Sequence, residues 1–318
     1  MKKLLALIII FLVMLFVARG WWNSQLSAVS SDKSEKTVII AKGKSVPDIA
    51  DQLKKEELIR SPLAFRLYTR QKGLSTSLAA GTFKISPSQT IPEIVEVLIG
   101  NPAEVWVTLI EGWRVEEMAD RLSSELGVDS SEFIKASKEG YMFPDSYLFA
   151  PEVTADVVAQ RLQDTFKLRF SDDLKGKIKA QGLTEDEGVI LASIVEREAR
   201  SDKARTDVAS ILLKRFKIDM GLNADATLQY ILGYQEDEKS WWKRNLSKED
   251  KKVDSPYNTY LHRGLPPKPI ANPGLSSLEA VANADPKTPY LYYYHDSKGN
   301  SYYGKTLEEH LENVANNP

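Results

Sequence analysis

The sequence predicts an α+β protein in three parts: an N-terminal transmembrane helix, a small α/β module and a larger α+β domain. Three observations carry this. An unbroken apolar run, Leu4 to Ala18, follows two lysines. A strand, glycine-turn, helix pattern then occurs twice in similar residues. From Val105 on, a series of amphipathic helical patterns ends in a tyrosine-rich hairpin.

The first element is the anchor. Leu4–Ala18 makes a helix of roughly 22 Å and Lys2–Trp22 one of about 31 Å, against a hydrocarbon core of ~30 Å. Lys2, Lys3 and Arg19 can snorkel, and Trp21 and Trp22 suit an interfacial belt. The same run fits the core of a cleaved signal peptide, although Ala28-Val-Ser30 is a poor cleavage site. Residues 1–22 are therefore read as a cytoplasmic tip and transmembrane anchor. Lys2 and Lys3 mark the inner side of a single pass through the cytoplasmic (inner) membrane, which places the bulk of the chain outside. Residues 23–36 are polar and serine-rich, a flexible linker.

Residues 37–104 form the small module. Thr37–Ile40 reads as a strand, Val46–Leu58 as a helix opened by Pro47, and Gly81–Ile85 as a further strand. Gly43-Lys-Ser-Val-Pro-Asp-Ile-Ala-Asp-Gln-Leu53 shares its Gly, Val, Ala, Asp and Leu with Gly112-Trp-Arg-Val-Glu-Glu-Met-Ala-Asp-Arg-Leu122, and Thr90–Leu98 is a shorter echo. Any strand–turn–helix unit shares this pattern. It also resembles the LysM-like module of bacterial wall enzymes, a small βααβ unit that binds glycan.

Residues 105–318 form the larger domain. Helices are expected at 114–126, 131–138, 153–169, 172–180, 185–200 and 203–216, then a charged surface excursion at 236–254. A Pro/Gly-rich loop (264–274), a helix at 276–284 and a hairpin of 290–295 with 301–303 follow. Thr306-Leu-Glu-Glu309 is a capping box that opens the last helix.

Composition excludes several functions. Hydrophobic residues make up 42% of the 318, enough for a sizeable core. A net charge of −2 gives no electrostatic case for a nucleic-acid partner. Cysteine is absent, which removes disulfides and thiolate chemistry. His262, His295 and His310 lack metal-ligand spacing, so neither a metal nor a cofactor is expected.

The most informative stretch is Leu191-Ala-Ser-Ile-Val-Glu-Arg-Glu-Ala199. Thr184-Glu-Asp-Glu187 caps its start, and Val189 to Val195 are apolar all round, so the helix is buried. Glu196 and Glu198 lie about 200° apart on it. They cannot face each other across a bond as an ordinary glycosidase pair does. Glu196 shares its face with Val189 and the small Ala192, Ser193 and Ala199, whereas Glu198 shares its face with Leu191, Ile194 and Val195. A small-residue face leaves room for substrate, so Glu196 is assigned to a cleft and Glu198 to structural support. Buried ion pairs with Arg197, Arg200 or Arg205 are the alternative for both.

Four motifs make the chain resemble the YceG-like family of membrane-anchored endolytic murein transglycosylases. They are Glu139-Gly-Tyr-Met-Phe-Pro-Asp-Ser-Tyr147, Ala192-Ser-Ile-Val-Glu-Arg-Glu198, Leu222-Asn-Ala-Asp-Ala-Thr-Leu-Gln-Tyr230, and a long block from Ser255-Pro-Tyr-Asn-Thr-Tyr260 through Gly264–Pro267 and Pro269–Gly274 to Lys287–Tyr292. Asn223 and the charged 236–254 segment are mild departures. The resemblance implies that residues 37–104 are a LysM-like glycan-binding module and 105–318 a catalytic transglycosylase domain. It implies cleavage of the bond between N-acetylmuramic acid (MurNAc) and N-acetylglucosamine (GlcNAc) to give 1,6-anhydro ends, terminating strand elongation. It places the catalytic acid on the first glutamate, Glu196, which must begin protonated and which burial would favour in that form. Because the muramic acid C6 hydroxyl is the nucleophile, one carboxyl suffices.

Tyr141, Asp145, Tyr147, Gln229, Tyr257, Asn258 and Tyr260 are candidate glycan contacts, each equally able to serve the fold. Expected partners are peptidoglycan glycan strands and the membrane, with glycan synthases and division proteins as candidates and no nucleic acid. Trp241 and Trp242 suit glycan, membrane or a protein partner alike. Two rival readings remain: a wall-binding scaffold that does not cut, and a hydrolytic muramidase.

Overall fold

The computed structural model describes residues 2–41, 43–100, 104–150 and 153–317, with side chains from residue 9 onward except Ile10. The chain divides into two compact units, 1–107 with 147–151, and 108–146 with 152–318.

In the first unit, α1 (Lys2–Leu26) precedes β1 (Lys36–Ile40), α2 (Val46–Lys55), α3 (Pro62–Gln71), β2 (Gly81–Ile85), α4 (Ile91–Ile99) and β3 (Val105–Thr108). β1 and β2 pair antiparallel, with Val38 opposite Phe83. Alternation along the strands buries Val38, Ile40, Phe83 and Ile85 against Ile49, Leu53 and Phe65 from the helices. Capping boxes start α2 at Ser45 and α4 at Thr90. α2 stops at Lys55, short of the expected Leu58, and Glu57 turns away with φ 59°.

α1 exposes Phe11 through Val17 and packs the half-buried Trp22 and Leu26 against this unit's core. Among the described residues no helix is long and apolar enough to cross a membrane. Part of the segment read as a linker is bound to the unit. Val29 and Ser30 donate to Pro87 O at 3.1 Å, and Arg60 Nε donates to Ala28 O at 2.9 Å. Polar backbone next to a folded unit finds partners there as readily as in water.

In the second unit come α5 (Val115–Leu126), α6 (Ser130–Ala136), β4 (Ser146–Phe149), α7 (Ala155–Arg169), α8 (Asp172–Ala180), α9 (Glu185–Glu198), α10 (Asp202–Lys217), α11 (Asp225–Leu232), α12 (Leu275–Ala282), β5 (Tyr292–His295), β6 (Ser301–Gly304) and α13 (Leu307–Asn316). Most of β4 belongs with the first unit. β4 pairs with β3, and β5 with β6 in antiparallel register, Tyr293 opposite Tyr303. α9 is the axis, packed by α8, α10, α11 and α12, and Gly188 through Val195 are all buried. Gly188 allows the α8 contact, because a Cβ there would meet Ile178 Cγ2 at 2.6 Å.

The repeat folds alike in both copies. Gly43 and Gly112 both take positive φ, 84° and 77°. Ile49, Ala50 and Leu53 of α2 and Met118, Ala119 and Leu122 of α5 are the buried stripes. The sequence patterns do not predict α3, β4 or α11.

Candidate active site

The last turn of α9 carries both glutamates, and the two sides of that turn differ. Glu196 is enclosed. Its side chain is 4% exposed, and its Oε1 accepts from Arg205 Nη2 at 2.9 Å. Its Oε2 accepts from the Gly274 N–H at 2.9 Å. Backbone closes over it: a Cβ at Gly112 would sit 3.3 Å from Glu196 Cγ. Glu111 stands beside it, 3.8 Å from Arg205 Nη2, and a Cβ at Gly274 would lie 1.9 Å from Glu111 Oε1. Burial pushes the Glu111 carboxyl up, and the Glu196 charge adds to the shift.

Glu198 is buried too, but in the walls of cavities. It lines two cavities, of about 660 Å³ and about 450 Å³. Neither these nor the other described cavities have Glu196 in their walls. Glu198 Oε2 accepts from the Tyr293 hydroxyl at 3.1 Å, and Oε1 from the Ala226 N–H at the start of α11, at 3.4 Å. Burial pushes Glu198 up to about 7. The Ala226 N–H opposes the shift, the Asp225 charge reinforces it, and the Tyr293 hydrogen bond opposes it again. On the side of α9 expected to open, Arg205, Gly112 and Gly274 thus crowd the carboxyl, and the side expected to pack carries these two cavities.

The larger cavity is rich in tyrosine. Tyr260 OH donates to Asp225 Oδ1 at 2.6 Å and accepts from Lys251 Nζ at 3.1 Å. Tyr292, Tyr293 and Tyr294 of β5 form another wall. Arg215 is fixed beneath them, with Nε donating to Leu291 O at 2.6 Å and Nη1 to Leu222 O at 2.8 Å. Tyrosine faces with an acid, an amine and a guanidinium between them suit a sugar chain, which offers apolar ring faces and hydroxyls.

The YceG-like family model matches residues 38–316. The chain belongs to the YceG-like family. It is 31% identical to the endolytic murein transglycosylase of Bacillus subtilis, over 91% of this chain and 86% of that protein. It is 26% identical to the endolytic murein transglycosylase of Streptococcus pneumoniae, over 98% of this chain and 65% of that longer protein. A 2.6 Å crystal structure of a YceG-like protein from Listeria monocytogenes matches with a TM-score of 0.63 and 27% identity, covering 88% of this chain and 99% of that one.

Of the candidate glycan contacts in this YceG-like chain, Tyr260 alone shares a cavity with Glu198. Tyr141 donates to Asp186 at the opposite end of α9, about 18 Å along the helix by its rise per residue. Asp145 caps its own turn through the Ser146 N–H and pairs with Arg169 at 3.4 Å. Tyr147 is buried in the first unit and stacks on Phe149. Gln229 donates to Lys243 O at 2.8 Å and so ties down the charged excursion. Tyr257 packs against Tyr230. Asn258 is fully buried, with Nδ2 donating to Lys251 O and Val253 O and Oδ1 accepting from Tyr260 N. It shapes the loop that presents Tyr260.

Sequence reasoning missed Asp225, Tyr293 and Arg215 in this site. Asp225 lies inside the third motif and Tyr293 directly follows the fourth, so proximity to quoted motifs was the signal for these two, while Arg215 lies in none of them. It also missed Glu139, the first residue of the first motif. Burial pushes Glu139 up to about 8, with the Glu116 charge adding, and its Oε1 accepts from Asn272 Nδ2 at 2.8 Å. Asn272 Oδ1 in turn accepts from the Gly140 and Met142 N–H groups. Glu139 thereby holds the 269–274 loop in place. Among the described residues no group of acidic or histidine side chains is arranged to hold a metal ion.

Proposed function

We propose that this chain is a lytic transglycosylase that cuts MurNAc–GlcNAc bonds within peptidoglycan strands, with Glu198 as the acid. The observation that carries this reading is one carboxyl, pushed up to about 7, in the wall of two cavities. The activity named for the Bacillus and Streptococcus relatives supports the substrate class. Glu196, first choice for this role, lines none of the described cavities and is held in a buried ion pair with Arg205, whereas the partners of Glu198 are neutral.

Glu198 in its neutral form donates its proton to the glycosidic oxygen as that bond breaks and positive charge develops at C1. The carboxylate left behind takes the proton of the muramic acid C6 hydroxyl, whose oxygen closes on C1. The acid is regenerated and no water is consumed. Such acid–base catalysis is worth about 10²–10⁴-fold. The Tyr293 hydroxyl and Ala226 N–H orient the carboxyl, and Tyr260 holds one flank of the sugar.

A hydrolytic reading draws on Asp225, a second carboxylate in the same cavity. Asp225 is tied to Tyr260 and Lys251, 2.6 and 3.6 Å away, and so is poorly placed to activate water. The test is product analysis of purified peptidoglycan digested by the full chain and by Glu198→Gln. Anhydro ends from the unaltered chain alone support the proposal. Reducing ends mean a hydrolase, and an unaltered chain that binds strands without cutting them is a scaffold.

Three further parts belong to this proposal. The Leu4–Ala18 run, whose later residues α1 exposes, anchors the chain in the inner membrane with Lys2 and Lys3 inside. The β1–α2–α3–β2 module is a LysM-like glycan-binding unit. Cutting beside the membrane would end nascent strands near the glycan synthases that make them.

A further inference from the structure

The smaller cavity at Glu198 has a chemistry the cleavage step does not use. It brings together cations from two separate segments: Arg197 and Arg200 from the end of α9 and beyond, and Lys298 from the β5–β6 turn. Ser201, the N-cap of the 16-residue α10, adds the positive end of a helix. Arg197 is fixed, with Nη1 donating to Gly112 O at 3.3 Å and its guanidinium 3.7 Å from the Trp242 ring centre. Among the described residues, the side chains of Arg200 and Lys298 make no hydrogen bond or ion pair. Two acids share the cavity, Glu198 and Asp296. The Asp296 carboxylate is committed to its own turn, accepting from the Lys298 and Asn300 N–H groups and from Asn300 Nδ2 at 2.8–2.9 Å. With the Arg197 guanidinium committed to Gly112 and Trp242 and Glu198 neutral, two uncommitted cations, Arg200 and Lys298, stand over one self-satisfied carboxylate. That is a built preference for an anion.

The sugar chain is neutral apart from its muramic acid substituent. That substituent leaves C3, two ring bonds from the C1 atom at which Glu198 acts, and ends in a peptide carrying free carboxylates. We propose that the Arg197–Arg200–Lys298 cavity binds a stem-peptide carboxylate of the muramic acid being cut, so that the enzyme prefers strands whose stems are intact. This rests on the assignment of Glu198 as the acid. The cations then place C1 over it through the substituent, using binding energy remote from the scissile bond.

The test reads binding, so it does not depend on cleavage. Full-length protein carrying Glu198→Gln is titrated with soluble strands that keep their stems, and with amidase-treated strands that keep only the lactyl carboxylate. Arg200→Gln with Lys298→Gln is then added. Both residues are exposed, so their loss leaves the core intact. The expected result is binding of stem-bearing strands weakened about tenfold, the size of a charge-assisted contact, with stripped strands unaffected. Binding to stem-bearing strands should also weaken more steeply with salt. Equal loss on both strands, or none on either, overturns the proposal. Stripped strands that bind as tightly and through the same two cations would assign the cavity to the lactyl carboxylate and overturn it as well. A chain that shows the stem preference yet never cuts sinks the transglycosylase reading and leaves the recognition standing.

Discussion

The two sides of the last turn of α9 teach how a helix wheel misleads. One side carries Ala192, Ser193 and Ala199, the other Leu191, Ile194 and Val195. Small residues invite close approach, and the approaching partners here are backbone: Gly112 and Gly274 close over Glu196. The bulky side packs as expected along the helix, but Glu198 extends past the last apolar turn, where β5, α11 and the 251–260 loop stand apart. Small-residue faces are filled more often than they are opened, because interiors tolerate few voids.

The largest effect that tests this contrast is on cleavage. Glu198→Gln should lower the rate about 10²–10⁴-fold with little loss of folding stability. If Glu196→Gln abolishes cleavage and Glu198→Gln does not, the roles are the reverse of those assigned here. Next comes stability on the closed side. Arg205→Ala leaves Glu196 buried without its partner and should cost about 3–5 kcal/mol, read as a lower midpoint in urea. An unchanged midpoint would mean that the pair is solvated.

Smaller again is Gly112→Ala, which forces φ 77° on a residue with a Cβ and should cost about 1–2 kcal/mol. The cleavage rate should follow the acid form of Glu198 and fall as pH rises through about 7. Tyr293→Phe removes a hydrogen bond that favours the charged form, so this limb should move to higher pH. Movement the other way would show that Tyr293 acts through packing.

Stability carries its own pH signature. Glu139 and Glu198 both have folded values above the ordinary 4.5, at about 8 and about 7. Between 4.5 and those values the folded state binds more protons than the unfolded one, so stability falls as pH rises through that window. Glu139→Gln should flatten the upper part of the slope, and an unaltered slope would place the titration elsewhere.

Much of the fold was legible because its starts and stops are local chemistry. Thr184 with Glu187 opens α9, and Thr90 with Glu93 opens α4, each by a reciprocal hydrogen bond three residues apart. The binding residues were not legible, for a reason Asn258 makes plain. An amide that could meet an acetamido group satisfies Lys251 O and Val253 O equally well, and sequence does not say which partner is nearer. Tyr260, on the loop that Asn258 shapes, also spends its hydroxyl on Asp225, but it lines the cavity beside Glu198.

The sequence by itself determined that α9 is a buried helix ending in two divergent carboxyls, because helical pitch and apolar pattern are properties of the chain alone. It also determined the family, through motifs spread over most of the length. Tertiary structure alone decided which carboxyl meets a cavity. That depends on how closely Gly112, Gly274, Tyr293 and Asp225, distant in sequence, pack around one helical turn. Close packing is set by the summed shapes of all of them rather than by the size of any one neighbour.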